Sequence, residues 1–179
     1  ANLGHAAFSV RMANTVFIQN PTSIYDDAPG VAYHFPKRYL RMVEEAIGDW
    51  VVIYEGKKGA LGYTSVIKLA SVVPDPKKEG HFYAYYEQGT EWQFEQIVGR
   101  NNVYGTAFET SLRGLDGKAM TGGVSVAAVR RLNFEEFTEI VTAGLKPLEG
   151  PDAMPREAQS FEYAEAQLPI EGSALAGVR

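Results

Sequence analysis

The chain has 179 residues, of which 45% are hydrophobic and 22% are charged, a composition typical of one domain with a buried core and not of a disordered chain. It contains no cysteine, which excludes disulfides, thiolate zinc sites and cysteine nucleophiles, and its three histidines leave little scope for other metal chemistry. No apolar run is long enough to cross a membrane and no signal peptide is recognisable, so we expect a soluble, cytoplasmic protein.

The formal charge of -5 is unevenly distributed along the chain. Residues 147–179 carry -4 of this charge and residues 1–146 carry only -1, while residues 98–131 carry +3. Surfaces that bind nucleic acid need local positive charge to neutralise phosphates. The charge distribution is therefore compatible with a basic face on an otherwise acidic chain.

Three segments are expected from composition. Residues 1–11 are small and mixed and precede a natural start at Met12, so we interpret them as an N-terminal extension. Residues 12–146 form the predicted domain. Residues 147–179 contain four prolines and scattered glutamates without a sustained apolar period, which is typical of an extended linker to a further domain.

The secondary-structure pattern predicts β-strands separated by turns, with two helices. Pro36 suits the first position of a helix that Gly48 ends. Asn133 and Glu136 have the spacing of a capping box that opens a second helix, which continues to Thr142 or Ala143 and is closed by Gly144. The predicted strands cover residues 15–19, 50–55, 61–73, 81–87, 91–98 and 124–132.

These elements predict an α+β fold. Five or six closely spaced strands favour a curved, barrel-like, mostly antiparallel sheet, with two or more helices and the first helix between strands one and two.

An unusual cluster of ring side chains precedes the first predicted helix. Tyr33 is part of this cluster, and Pro36 excludes the helical region for the residue before it, so His34 and Phe35 are expected on extended backbone. The free amides of the helix start, together with Lys37 and Arg38, could bind a phosphate. The alternative is that Tyr33 and Phe35 pack against the helix start while His34 bonds to backbone.

A second arrangement suggests nuclease chemistry. Asp49, Glu55 and Lys57 have the order in which many restriction-type nucleases hold magnesium and a water molecule. A solvent-exposed hairpin tip is the ordinary explanation for the same charged residues. The Asp26-Asp27 pair is better explained by turn chemistry or a polar pocket contact than by a metal site.

The order of several motifs resembles the EVE domain of the PUA-like superfamily, and more closely the N-terminal domain of bacterial HNH endonucleases. The most specific part is the string from Tyr33 to Pro36, and the resemblance covers roughly residues 14 to 145. The supporting strings are residues 17–21, 25–40, 48–55, 61–76, 108–113 and 128–132.

The resemblance implies a PUA-like domain that recognises a modified base in double-stranded DNA, with 5-methylcytosine or 5-hydroxymethylcytosine favoured, by flipping it into an aromatic pocket. Stacking is expected from Trp50, Tyr54 or Tyr33, so Trp50→Ala would abolish the preference for modified DNA. The implied pocket residues are Asn20, Ser23, Tyr25, Tyr33, His34, Phe35, Trp50 and Tyr54, with Asn20, Ser23 or His34 on the base edge. The implied phosphate contacts are Lys37, Arg38, Lys57, Lys58 and Arg113.

The HNH motifs themselves are absent, so we expect no catalytic residues, metal or other cofactor in this chain. A nuclease domain that uses a divalent metal would lie beyond residue 179, and dimerisation would occur through that domain. Two alternatives remain open: a stand-alone PUA-like module that binds RNA or a small ligand, and a small magnesium-dependent nuclease built on Asp49, Glu55 and Lys57.

Overall fold

The computed structural model describes residues 13–19 and 28–146. Seven strands form one curved, unclosed sheet that is mostly antiparallel, which confirms the predicted α+β class. The strands are β1 (Asn14–Ile18), β2 (Ala32–Pro36), β3 (Trp50–Glu55), β4 (Gly62–Pro74), β5 (His81–Tyr86), β6 (Trp92–Val98) and β7 (Val129–Leu132). The helices are α1 (Leu40–Glu45) and α2 (Phe134–Leu145), with 3-10 turns at Lys37–Tyr39, Thr110–Leu112 and Gly123–Val126.

The strand order is β2-β5-β4-β3-β1-β7, and β6 pairs with β4. Strands β1 and β3 are parallel, and the remaining pairs are antiparallel. The sequence pattern did not predict β2 as a strand. The extended backbone expected before Pro36 is confirmed, but its pairing with β5 depends on residues some 50 positions away in the chain. The first helix therefore follows the second strand and not the first.

Two predicted elements are shorter than expected. The first helix consists of a 3-10 turn and the six residues of α1, after which Gly48 adopts a positive φ of 87° and donates its amide to Leu69 O at 2.7 Å. Strand β7 begins at Val129 and not at residue 124, because Gly122 and Gly123 have positive φ and the 3-10 turn Gly123–Val126 occupies this segment.

Helix α2 begins as predicted but ends later. Asn133 Oδ1 accepts from the Glu136 amide at 2.8 Å, and Glu136 Oε1 accepts from the Asn133 amide at 2.9 Å, which confirms the capping box. The prediction that Gly144 closes the helix was wrong, because the helix continues to Leu145. Gly144 is buried against Phe94, and a Cβ at this position would overlap the aromatic ring.

The substitution Gly144→Ala is expected to lower the free energy of unfolding by about 2 kcal/mol, since the added methyl group forces Phe94 out of its position. Urea denaturation of both proteins measures the difference. Gly99→Ala is the matched control, because a Cβ at Gly99 meets no atom within 4 Å and its φ is not positive. Equal effects of the two substitutions would contradict the packing of α2 on β6.

The two faces of the sheet carry separate hydrophobic cores, since neighbouring side chains on a strand point to opposite sides. Phe17 lies in the first core, which α1 helps to cover. Val16 lies in the second core, together with Phe94 of β6 and Ile140 of α2. The predicted extension and linker fall on residues outside the described ranges. None of the helices in the described ranges is long and apolar enough to span a membrane.

Candidate functional site

A small pocket lies at the end of the sheet where the parallel strands β1 and β3 both finish. Its volume is about 120 Å³. We call it the mouth pocket and define it by its lining residues, which are Gln19, Pro29, Gly30, Ile53, Glu55, Thr64, Ser65, Ile67, Tyr86, Glu91 and Gln93.

The first-core face of the sheet supplies the apolar wall of the mouth pocket. Ile53, Ile67 and Tyr86 belong to the first core and also line the pocket. Strand alternation brings Glu55 to the same face as Ile53, and Ser65 to the same face as Ile67. The pocket is therefore the end of the first core, where apolar residues give way to polar ones.

The polar side chains come from four parts of the chain: the residue after β1, the end of β3, the start of β4, and the segment that enters β6. They are Gln19, Glu55, Thr64, Ser65, Glu91 and Gln93. Ser65 on β4 is the register partner of Gln93 on β6, so the hydroxyl and the amide belong to neighbouring strands. Gln93 Nε2 donates to Glu91 Oε1 at 3.4 Å, and Glu55 Oε2 accepts from the Ala60 amide at 2.8 Å. Among the described residues, the lining contains two carboxylates and no basic residue, so it disfavours a phosphate and favours a group that donates hydrogen bonds.

Three predicted pocket residues, Asn20, Ser23 and Tyr25, lie outside the described ranges, as does the Asp26-Asp27 pair. Gln19, the last described residue before this segment, and Pro29, the second described residue after it, both line the mouth pocket. The mouth pocket is thus the part of the described structure that these three residues adjoin in the chain.

Tyr33 and Phe35 lie in the first core and do not line the mouth pocket. The Tyr33 hydroxyl donates to Ile18 O at 2.9 Å and lies 3.1 Å from Ala128 O, and its ring stacks on Phe17 with centroids 4.7 Å apart. Phe35 is fully buried. Both rings therefore join β2 to the core.

His34 lies on the opposite face of β2. Its Nε2 atom is 2.9 Å from Asp75 Oδ2, and its ring is near Tyr83 and His81, with centroids 4.7 and 5.3 Å away. The Lys77 amide, and then His34, lower the pKa of Asp75 although desolvation opposes them. The bond from His34 to a carboxylate differs from the backbone bond of the alternative interpretation.

Trp50 and Tyr54 lie at opposite ends of β3, about 13 Å apart along the strand. Trp50 is half-buried, and Lys68 Nζ lies 5.6 Å from its ring centroid. Tyr54 is buried in the second core, edge-on to Tyr63 with centroids 5.1 Å apart. The structure does not bring these two rings together in one pocket.

The five predicted phosphate contacts are all exposed, and they occupy separate places. Lys57 and Lys58 follow Glu55, a lining residue of the mouth pocket, in the β3–β4 turn, but they do not line the pocket themselves. Arg113 donates through Nε to Ala107 O at 3.0 Å. The Lys37 amide donates to Gly80 O at 2.8 Å, and the Arg38 guanidinium lies 4.9 Å from the Tyr39 ring centroid.

Asp49 and Glu55 are too far apart to share a metal ion. Asp49 directly precedes β3 and Glu55 is its last residue, so about 20 Å of extended chain separates them. Asp49 Oδ2 accepts from the Ala13 amide at 2.9 Å. In residues 13–19 and 28–146 no group of three acidic, histidine or cysteine side chains could hold a metal. These residues therefore do not form the magnesium site of the small-nuclease alternative.

The structure contains a buried charged cluster that the sequence pattern did not predict. Arg130 donates to both carboxylate oxygens of Glu109, at 2.7 and 2.8 Å, and the Tyr63 hydroxyl donates to Glu109 Oε2 at 2.6 Å. Glu109 is 1% exposed and Arg130 is 5% exposed. Burial would lower the pKa of Arg130, but the hydrogen bonds and charge of Glu109 outweigh it and raise that pKa. The cluster ties β7 and β4 to the segment after β6.

Burial, and for Tyr63 the adjacent Glu109, raise the pKa values of Tyr54 and Tyr63 above their usual value. In the unfolded chain these tyrosines lose their hydroxyl protons at about pH 10. In the folded protein Tyr54 and Tyr63 retain their protons at that pH. The free energy of unfolding is therefore expected to fall as pH rises above about 10, by up to about 1.4 kcal/mol per pH unit for each tyrosine. Urea denaturation between pH 8 and 11, roughly, should show a shallower decline for Tyr63→Phe; equal slopes would contradict this assignment.

Two turns after β6 expose apolar side chains. Val103 and Tyr104 are 94% and 89% exposed, and Leu115 is fully exposed. The first turn is held by Asn102 Oδ1, which accepts from the Tyr104 amide at 2.9 Å and from the Thr106 amide at 3.0 Å. These side chains are thus displayed on fixed backbone and are available to a partner.

No family model and no curated protein matches this chain. The NMR structure of Rpa0253 from Rhodopseudomonas palustris is similar over 74% of this chain and 93% of that chain, with 15% identity and a TM-score of 0.48. The crystal structure of Atu2648 from Agrobacterium tumefaciens is similar over 78% of this chain and 99% of that chain, with 14% identity and a TM-score of 0.48. At this sequence identity and TM-score, neither structure supports a statement about the function of this chain.

Proposed function

We propose that this chain is a DNA-binding specificity domain that recognises a modified base, with 5-methylcytosine or 5-hydroxymethylcytosine favoured, as part of a modification-dependent HNH restriction endonuclease. The observation that carries the proposal is the mouth pocket, which combines the ring of Tyr86 and two isoleucines with amide, hydroxyl and carboxylate groups. A flipped base needs this combination of flat apolar surface and a few polar groups for its edge.

The chemistry of the pocket suits a cytosine better than a phosphate. The exocyclic amine of cytosine donates hydrogen bonds, and a carboxylate such as Glu55 or Glu91 accepts them. The amide of Gln93 and the hydroxyl of Ser65 can bond the remaining base edge. A substituent on the ring would contact Ile53 or Ile67.

Phosphate binding in the proposal falls to residues outside the pocket. Lys57 and Lys58, beside Glu55, would hold the strand next to the flipped base, and Arg113 would contact the duplex farther away. The exposed Val103 and Tyr104 are the kind of side chains that contact unstacked bases. Tyr33, Phe35 and Tyr54 support the sheet behind the pocket in this account.

A small-ligand module is the second candidate. The two carboxylates at the pocket lining also suit the base of a free nucleoside, or another small amine-bearing ligand without phosphate. Such a ligand would bind without help from Lys57 or Lys58.

The testing experiment is fluorescence polarisation with one duplex that carries, at a single position, cytosine, 5-methylcytosine, 5-hydroxymethylcytosine, a glucosylated base or N6-methyladenine. Binding is measured at two salt concentrations, with matching RNA and free nucleosides as competitors. We expect one modified duplex to bind more tightly than plain DNA at both salt concentrations. Uniform binding that salt abolishes, or a preference for RNA or a free nucleoside, would contradict the proposal.

A further inference from the structure

A second and larger concavity lies at the other end of β1 from the mouth pocket. Its volume is about 710 Å³, and it lies between α1 and the edge formed by β1 and β7. We call it the arginine groove, because Arg38, Arg41 and Arg131 all line it. Asn14 lines the groove and Gln19 lines the mouth pocket, so the two concavities are separated by about 17 Å along β1.

The three arginines reach the groove from different elements: the 3-10 turn before α1, α1 itself, and β7. Glu45 is the one acidic residue in the described lining. Its carboxylate accepts from Arg131 Nη2 at 2.6 Å and from Arg41 Nε at 3.2 Å. Desolvation opposes a lowered pKa for Glu45, but Arg131 and then Arg41 outweigh it, so Glu45 is ionised at neutral pH.

Positive charge therefore exceeds negative charge in the described lining, three residues to one. A guanidinium has five N–H donors, and the bonds to Glu45 use one from Arg41 and one from Arg131. The carboxylate thus holds two guanidinium groups at the groove and leaves donors for a ligand. This charge is opposite to that of the mouth pocket, whose described lining contains two carboxylates and no arginine.

The floor of the groove adds a polar group. Thr15 lines the groove, is 1% exposed, and is the register partner of Arg131 on β7. Within the part of the chain that the structure describes, its hydroxyl has no hydrogen-bond partner. A hydroxyl beside a guanidinium is a common donor pair for a phosphate oxygen.

We propose that the arginine groove binds a phosphate group. Planar guanidinium groups recognise phosphate oxygens through paired N–H bonds, and three of them at one groove suit a doubly charged or repeated anion. The phosphate belongs either to a nucleic-acid strand or to a free phosphorylated compound. On a strand bound at the mouth pocket, a span of about 17 Å would place the contacted phosphate about five nucleotides from the flipped base.

The test compares two double variants that each remove two positive charges from exposed positions. Arg38→Gln with Arg41→Gln changes the groove and leaves the Arg131–Glu45 pair intact. Lys77→Gln with Lys78→Gln is the matched control in the β4–β5 turn, away from both concavities. Circular dichroism confirms that each variant is folded. The probes are inorganic phosphate, followed by amide shifts in NMR, and an unmodified DNA duplex, followed by fluorescence polarisation at several salt concentrations.

The arginine variant should bind inorganic phosphate at least tenfold more weakly than the parent protein, while the lysine variant is unchanged. If the groove binds the phosphates of a nucleic-acid strand, the arginine variant should also bind the duplex more weakly. The slope of its log affinity against log salt concentration should then fall by about 2. A free phosphorylated compound predicts unchanged duplex binding. Absence of saturable phosphate binding, or equal weakening in both variants, would overturn the proposal. The ratio of modified to plain DNA affinity tests the mouth pocket separately.

Discussion

Replacement of Glu109 by alanine is expected to lower the free energy of unfolding by about 3–5 kcal/mol, enough to unfold a domain of ordinary stability. The substitution leaves the Arg130 guanidinium, which is 5% exposed, without the two bonds from Nε and Nη2. It also removes the acceptor of the Tyr63 hydroxyl. The guanidinium would stay buried with its charge uncompensated, and it would keep only the bonds from Nη1 to Ser125 O and Ala127 O. Urea or thermal denaturation measures the loss.

Two controls separate the buried pair from charge loss in general. Glu45→Ala breaks the Arg131–Glu45 pair, whose side chains are 58% and 41% exposed, and should lower stability far less than Glu109→Ala. Replacing both Glu109 and Arg130 by methionine removes the uncompensated charge and should recover most of the stability lost in Glu109→Ala. If Glu109→Ala is as mild as Glu45→Ala, the cluster does not hold the second core together.

Closing the mouth pocket with Ser65→Leu is expected to reduce the preference for modified over plain DNA to near unity. Ser65 is 3% exposed at the pocket lining, and the leucine side chain would occupy the space proposed for the base. The milder Gln93→Leu keeps the bulk of an exposed side chain but removes its amide, and should cost about 1–3 kcal/mol of discrimination. Fluorescence polarisation with the modified and plain duplexes measures both.

Trp50→Ala distinguishes the mouth pocket from the stacking role that the sequence suggested for this residue. Trp50 lies at the start of β3, and Glu55 at the mouth pocket ends the same strand. We expect a folded Trp50→Ala protein to retain its preference for modified DNA. Loss of that preference in a folded Trp50→Ala protein, with Ser65→Leu unaffected, would move the base site to the other end of the sheet.

The sequence predicted the elements whose signals are local. The capping box at Asn133 and the strand cores of β3 and β4 were identified because propensity and periodicity act over a few residues. Strand β2 was missed because its pairing with β5 is distant in the chain. The end of α2 was placed too early, since a glycine that admits Phe94 has the same sequence signal as a helix stop.

The candidate site was less predictable than the fold. The family resemblance implied Lys57 and Lys58, which lie outside the pocket lining, whereas Ser65 and Gln93 meet only through the β4–β6 register. Tyr33 and Phe35 were named as pocket rings because aromatic residues before a helix suit either a pocket or a core, and periodicity does not distinguish the two. The Glu109–Arg130 pair required knowledge of which strand face is buried.

The most direct test of base recognition at the mouth pocket is a pair of NMR titrations of the isotopically labelled chain, one with a plain duplex and one with the same duplex carrying a single 5-methylcytosine or 5-hydroxymethylcytosine. The backbone amide shifts that differ between the two complexes report contact with the modified base. We predict that the largest differences fall at Gly30, Ser65 and Gln93, which line the mouth pocket. Largest differences around Trp50 and Lys68, or no difference between the two duplexes, would contradict the account.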